Sequence, residues 1–390
     1  MVPTHPTVRE NEAGRTVRVG LGEIAYEAFV PRPLPPALSF DADLIRALSE
    51  ADRALGELSG LGRTLPNPDL LISPFIRKEA LLSSRIEGTQ ATITEVYEFE
   101  AEAGPSARRP IPDDVQEVIN YIDALGYGLR RIADLPVSGR LIKELHERLM
   151  TRVRGQERSP GEFRRTQNWI GAPGCLLNDA SYVPPPVDEM EEALSAFEKY
   201  LHRDDETYPP LIRLAYIHSQ FEMIHPFIDG NGRIGRLLVT LLLVSWNLLP
   251  LPLLYLSAFF ERERATYYDL LLGVSRDGRW REWILFFLRG VAEQSRDATT
   301  RTKRLQDLQN TWREAVTHAR SSALLVRLVD HLFVSPVFTV PSAARILGVT
   351  YPAARANVDK LVEAGIVEQF GDAAYARRFW APRVVEAIGD

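Results

Sequence analysis

Cysteine is nearly absent: Cys175 is the only one in 390 residues. No intramolecular disulfide and no cysteine zinc cluster is therefore available, which fits a reducing compartment. An excess of positive charge is also missing. Lys plus Arg is 46 and Asp plus Glu is 52, a formal charge of −6. A chain whose whole surface embraces nucleic acid is disfavoured, although a local basic patch is not. No apolar run reaches the roughly 18 residues that a membrane span needs. The most apolar stretch, 234–249, holds Arg236 near its start and Asn247 near its end, and Pro250 and Pro252 come directly after it. It reads as a helix buried in a core. The opening MVPTHPTVRENEAGRT has no apolar segment of the secretory type. The expectation is a cytoplasmic protein without membrane contact.

What is present is ordinary globular material, 45% hydrophobic and 25% charged, at a length that suits two or three domains. Residues 1–38 carry Pro31, Pro33, Pro35 and Pro36 close together and read as an extended arm rather than a packed domain. The period then becomes helical. Leu44, Leu48, Ala51, Leu55 and Leu58 recur on one face and stop near Gly60. Ser73-Pro74 predicts a helix start, and Gly88, just after Glu87, predicts its end. The stretch 101–112 reads as a Pro-bearing linker, so 39–110 forms an N-terminal helical region.

A core is expected over 111–294, with helices at about 113–131, from the Ser138 cap through Leu149, and at about 187–203, 211–224, 234–249, 258–275 and 279–294. Glycine and proline interrupt it over 161–186, where Asn168–Ile170 and Tyr182–Val183 suit the arms of a short hairpin. A charged linker helix, 295–321, leads to 322–390. There a stop at Gly348, a restart at Thr350 and a second stop at Gly365 outline a helix-turn-helix, and the tail suits a wing of two strands.

The chemistry concentrates in His225-Pro226-Phe227-Ile228-Asp229-Gly230-Asn231-Gly232-Arg233-Ile234-Gly235-Arg236, between two helical patterns. Gly230 and Gly232 permit a sharp turn with exposed N–H groups. The next helix presents its positive end to that turn, which makes an anion site suited to phosphate. Asp229 stands at the rim, where a carboxylate beside phosphates usually holds Mg²⁺. Arg233 and Arg236, one turn apart, suit bidentate contact with phosphate oxygens. His225 titrates near neutral pH and is the candidate general base. The same segment matches G-x-G-x-x-G at Gly230, Gly232 and Gly235. A dinucleotide fingerprint needs a strand before it and an acid about 20 residues on, and neither is present here.

HPFIDGNGRIGR resembles the signature of Fic proteins, His-x-Phe-x-Asp/Glu-Gly-Asn-Gly-Arg-x-x-Arg, at all eight specified positions. Gly161-Glu-Phe163-Arg164 and Ala180-Ser-Tyr182-Val183 resemble the flap that precedes the Fic core, and Tyr267-Tyr268 and Trp280 through Leu288 resemble the stretch C-terminal to that core. The resemblance covers roughly residues 40–380. It implies a mainly α fold: a Fic helical bundle with a small β-hairpin flap, a helical N-terminal region and a C-terminal winged helix-turn-helix. It implies a reaction too, transfer of AMP from ATP to a Ser, Thr or Tyr hydroxyl of a target protein. In that reaction His225 would deprotonate the hydroxyl and Asp229 would bind Mg²⁺. Gly230, Asn231, Gly232 and Arg233 would cradle the phosphates, and Arg236 would hold the γ-phosphate. Tyr267 and Tyr268 would line the adenine pocket, and the flap would hold the target's backbone. Many relatives carry Asn in the tract before the tyrosine pair, but here it reads Phe260-Glu261-Arg262-Glu263-Arg264.

Ser83-Ser84-Arg85-Ile86-Glu87-Gly88 resembles the inhibitory motif of the same family. A carboxylate in the last turn of a helix is disfavoured by the dipole and calls for a cation. Ser83, one turn back, is placed to orient it. The resemblance makes Arg236 that cation, so Glu87 would keep Arg236 from the γ-phosphate and inhibit the enzyme in cis. Three other readings stand beside this one. The same site could remove AMP or move another phosphate-containing group. Alternatively, the chain acts as a DNA-binding regulator through its C-terminal region. From Ser321 to Asp390, however, Lys plus Arg is 7 and Asp plus Glu is 7, a thin footprint for DNA, so protein docking is the equal alternative. A homodimer is among the expectations the resemblance raises.

Overall fold

The computed structural model describes residues 10–389 apart from 23–24, 66, 103–110, 154–156, 173, 204–206, 319–322 and 371–376. Part of the arm expected over 1–38 is instead a sheet. Strands β1 (Glu10–Asn11), β2 (Gly14–Val19) and β3 (Tyr26–Pro31) pair antiparallel in that order, with Gly14 opposite Pro31 and Val19 opposite Tyr26. The proline cluster begins only where β3 ends. Ahead of it, Ala28, Phe29 and Val30 are apolar enough to bury against the core. Asn11 Oδ1 accepts from the N–H groups of Ala13 (2.8 Å) and Gly14 (3.1 Å) and turns the chain between β1 and β2. A Cβ at Gly14 would strike the Val30 carbonyl.

The helices expected up to residue 318 appear with three differences, and one further helix, Ile93–Glu102, was not expected. Helix α1 is Ala42–Thr64, capped by Asp41, whose side chain accepts from the N–H groups of Asp43 and Leu44. Helix α2 is Pro68–Ile86 and α3 is Ile93–Glu102. The first difference is at α2: it starts at Pro68 and runs straight through Pro74, where a start was expected. Tertiary packing overrides the local signal there, since Ile72, Phe75, Ala80 and Leu81 are all buried.

Then come α4 (Asp113–Arg131), α5 (Gly139–Leu149), α6 (Val187–Leu201), α7 (Pro210–Ile224) and α8 (Asn231–Ser245). Ser138 caps α5 by accepting from Leu141 N–H, as expected. The second difference is that the helix expected over 258–275 is broken at Glu263 into α9 (Ser257–Arg262) and α10 (Arg264–Asp277). The third is that 279–294 and the charged linker are one helix, α11 (Trp280–His318), with no boundary at 294. Its first half is buried and its second half is polar, which reads in sequence as two segments.

The core is centred on α7 and α8, which pack on each other and are buried on nearly every side. This explains the run from Leu237 to Leu243: it is a helix with almost no solvent face. Helices α4, α5, α6 and α10 close around the pair, and α1 lies along α11. Between α5 and α6 the expected hairpin reduces to one antiparallel bridge, Ile170 with Tyr182, enclosing a short 3-10 turn at Leu177–Asp179. Strand β3 supports it, because Phe29 N–H donates to the Val183 carbonyl at 2.9 Å.

The C-terminal part contains α12 (Ala323–Val334), β4 (Val337–Thr339), α13 (Val340–Leu347), α14 (Tyr351–Glu363), β5 (Glu368–Phe370), β6 (Arg378–Trp380) and α15 (Pro382–Ile388). The strands form an antiparallel sheet in the order β4-β6-β5. The tip between β5 and β6 lies outside the described residues, as does most of the linker expected over 101–112. Gly348 and Gly365 both adopt left-handed backbone, φ 70° and 64°, at the two stops read from sequence.

Candidate active site

The loop from His225 to Gly230 joins the two central helices. His225 ends α7 in left-handed backbone, φ 48° and ψ 60°, which costs a non-glycine residue on the order of 1–3 kcal/mol. The neighbourhood enforces it. The His225 carbonyl accepts from Arg164 Nε at 3.0 Å and from Asn168 Nδ2 at 3.4 Å, and Arg164 N–H donates to the Pro226 carbonyl at 2.9 Å. His225 Nδ1 lies 3.3 Å from the Glu222 carbonyl. A carbonyl only accepts, so Nδ1 carries the proton and Nε2 keeps its lone pair. Burial, aided by the nearby Arg164 charge, pushes the imidazole down to about 4. The ring thus titrates below the near-neutral range expected of it, because it is buried, and is neutral at neutral pH with the Nε2 lone pair unprotonated.

Gly230 begins α8 with φ 78°. A Cβ there would crowd Met150 Sδ at 3.1 Å and the His146 ring at 3.4 Å. The N–H groups of the first α8 turn have no intrahelical acceptor, and the positive end of the helix dipole stands at Gly232. Asp229 is at the rim. Its Oδ1 accepts from Gly230 N–H at 2.7 Å, and its Oδ2 is 3.3 Å from Arg158.

The expected inhibitory contact has clear geometry. Arg236 NH2 donates to Glu87 Oε1 at 2.6 Å and to the Ser83 carbonyl at 2.9 Å, and Nε donates to Ser83 Oγ at 2.9 Å. Arg236 is buried, while a third of the Glu87 side chain stays exposed. Burial works against the Glu87 charge, yet Arg236 outweighs it and holds the carboxyl below its ordinary range. A Cβ on Gly232 would collide with the Glu87 carboxylate. The carboxylate thus occupies the mouth of the anion site itself. Arg236 NH1, buried, has no hydrogen-bond partner among the described residues.

Three other expected site residues are engaged within the chain. Asn231 turns its amide back onto Phe227. Arg233 is buried, with NH1 3.5 Å from Glu117 Oε2 and NH2 3.7 Å from Met150 Sδ and 3.9 Å from Asp229 Oδ1. Tyr267 is buried against His218, its hydroxyl 2.9 Å from Nε2. Tyr268 is the accessible member of the pair, 42% exposed, with its hydroxyl 3.4 Å from the Ile86 carbonyl that ends α2.

Sequence reasoning missed His146 and Glu79. His146 Nδ1 accepts from Gly161 N–H at 2.9 Å, so its protonated Nε2 donates to the Asp229 carbonyl at 3.0 Å. Its ring stacks on Phe227 with centroids 3.7 Å apart. Glu79 is buried on α2 and accepts from Ser257 Oγ at 2.6 Å and Tyr121 Oη at 3.1 Å. The only signal for Glu79 is its spacing of four residues before Ser83.

In the C-terminal part, two of the arginines that would suit DNA, Arg355 and Arg378, are paired within the chain. Arg355 pairs with Asp359 at 2.9 Å and Arg378 with Glu98 at 2.8 Å.

A buried histidine, a helix start with N–H groups lacking intrahelical acceptors and a buried arginine beside it form an arrangement suited to phosphate. Two family models match: the Fic/DOC family N-terminal region over residues 45–130 and the Fic/DOC family over 136–243. This chain belongs to the Fic/DOC family. The first match includes α4 and so runs past the boundary expected at 110. The protein adenylyltransferase Fic of Drosophila persimilis is 30% identical over 176 residues, which is 45% of this chain and 31% of that protein. The chain thus matches about a third of the length of this curated relative. A crystal structure of a Fic family protein from Desulfovibrio desulfuricans G20 is similar in fold, with TM-score 0.54 and 20% identity over 89% of this chain and 98% of that one. Fic-1 from C. elegans gives TM-score 0.51 and 22% identity over 69% of this chain and 75% of that one.

Proposed function

We propose that this chain is a protein adenylyltransferase that moves AMP from ATP onto a Ser, Thr or Tyr hydroxyl of a target protein, and that Glu87 inhibits it in cis. The observation that carries this reading is the buried Arg236, bound by Glu87 at 2.6 Å beside the start of α8. An arginine with a free NH1 at a helix N-terminus is built for a phosphate chain. The carboxylate stands where that chain's end would lie. In the reaction the hydroxyl oxygen attacks the α-phosphorus and a new O–P bond forms. The bond from that phosphorus to the bridging oxygen breaks, pyrophosphate leaves, and the hydroxyl proton passes to His225 Nε2.

Asp229 suits Mg²⁺ as a single exposed carboxylate at the rim. Among the described residues no group of three or more His, Cys, Asp or Glu is placed to hold a metal. Phosphate oxygens and water would complete its shell, as is usual for Mg²⁺. When bound, such an ion neutralises phosphate charge. We read 323–388 as a winged helix that docks protein. The pairing of Arg355 and Arg378 within the chain supports this over DNA.

The test is label transfer from α-labelled ATP with Mg²⁺ in a lysate, comparing wild type, Glu87→Gly and Glu87→Gly/His225→Ala. Glu87→Gly is expected to label strongly, and loss of the base to reduce transfer by roughly 10²–10⁴-fold. No label from any folded, ATP-binding variant overturns the reading.

A further inference from the structure

The inhibitory contact is carried by α2, and α2 is held from both sides. Glu79, Ser83 and Glu87 recur at four-residue spacing and share one face. That face meets the core, through Ser257 and Tyr121 at Glu79 and through Arg236 at Ser83 and Glu87. The other side meets the C-terminal part of the chain. Helix α12 packs along α2. Lys78, next to Glu79 but about 100° around the helix, donates from Nζ to the Ile388 carbonyl at 3.0 Å. Arg301 of α11 donates to the same carbonyl. Ile388 ends α15, so two cations grip the negative end of that helix. The segment after the brake is held in the same way. Strand β4 packs on α3, and Arg378 of β6 pairs with Glu98 of α3 at 2.8 Å, with their side chains only 24% and 23% exposed.

We propose that residues 323–388 form the seat of the brake: the C-terminal part keeps α2 and α3 pressed against the core and so keeps Glu87 on Arg236. This rests on the adenylyltransferase reading and concerns the regulation of that same site. A close-packed interface transmits displacement rather than absorbing it. Moving the C-terminal part off α3 and α2 therefore loosens the turn Glu87–Thr89, whose amides close onto Ser84 and Arg85. A protein that binds the C-terminal part in its unseated position relieves inhibition. By linkage, a nucleotide on Arg236 favours unseating to the same degree.

The experiment is a charge swap on the full chain: Arg378→Glu, Glu98→Arg and the double swap, each in the wild-type and the Glu87→Gly background. Neither residue touches the site. Each single reversal is expected to raise AMP transfer roughly 5-fold or more, the lower edge of typical coupling. The double swap should return it to the wild-type rate, and none should alter the Glu87→Gly rate. Lys78→Met supplies an independent loosening without charge reversal. Unchanged transfer in all single variants overturns the seat, as does an equal change in both backgrounds. If Glu87→Gly itself transfers nothing, the activity reading has failed, and hydrogen exchange decides the seat alone. The amides of Glu87, Gly88 and Thr89 should then exchange faster in the single reversals. Exchange at the wild-type rate overturns the proposal.

Discussion

Asn231 holds the backbone of Phe227 with both ends of its amide: Oδ1 accepts from Phe227 N–H at 2.8 Å, and Nδ2 donates to the Phe227 carbonyl at 2.8 Å. Asn168 Nδ2 reaches the same carbonyl at 2.7 Å. This closes the loop between α7 and α8 and places His225 against the start of α8. An amide supplies an acceptor and a donor on two separate atoms of one short side chain.

Asn231→Asp keeps the acceptor and loses the donor, while Asn231→Ala loses both. In a Glu87→Gly background, transfer should fall about 10-fold for Asp and about 100-fold for Ala, the cost of a reacting group misplaced by an ångström. Steady-state kinetics should place the loss in kcat rather than in KM for ATP. An equal loss in KM would mean that Asn231 touches the nucleotide.

Glu222 governs a pH dependence of stability. Its carboxylate lies against Gly235, where a Cβ would strike it, and Oε1 has no hydrogen-bond partner among the described residues. Burial pushes the carboxyl up to about 8; Arg236 pulls the other way and Glu87 adds to the rise. The folded protein therefore keeps a proton that the unfolded chain releases near its ordinary value of 4.5. Stability conferred by that proton is complete below the unfolded value and is lost as pH rises through the folded one. Thermal melts should show Tm declining across this window, and Glu222→Gln should flatten the decline. An unchanged slope in the variant refutes the assignment.

Arg158 stands beside the carboxylate proposed to hold Mg²⁺. It lies 3.3 Å from Asp229 Oδ2, and both side chains are about half exposed. Such a pair is worth about 0–1 kcal/mol, so Arg158→Ala should lower the Mg²⁺ concentration for half-maximal transfer by about two- to fivefold. Asp229→Ala should raise it by more than about tenfold. A rise with Arg158→Ala would show that Arg158 serves the phosphates instead.

Much of the site was legible because its parts are close in sequence. Twelve consecutive residues, His225 to Arg236, hold the base, the turn and both arginines. Local rules place them at the end of one helix and the start of the next. Ser83 and Glu87 were legible from four-residue spacing, the Gly88 stop and the family resemblance. The long-range partners of Arg233 and Tyr267 were not legible. The family resemblance gives both a place beside the nucleotide; Arg233 meets Asp229, four residues back, at 3.9 Å, but Glu117 and His218 are partners more than 40 residues away. Burying a cation or a hydroxyl demands a partner, and the partner was written elsewhere.

The chain alone determined its helical class, the cap at Ser138, the left-handed stops at Gly348 and Gly365, and the residue set of the loop at His225. These come from propensity, capping and backbone sterics within a few residues. Tertiary structure alone decided that residues 14–19 and 26–31 pair as strands, that α2 continues through Pro74, that α11 runs unbroken from Trp280 to His318, and that Lys78 and Glu98 meet the far end of the chain. Each depends on surface buried between segments distant in sequence, a free energy that local propensity does not contain.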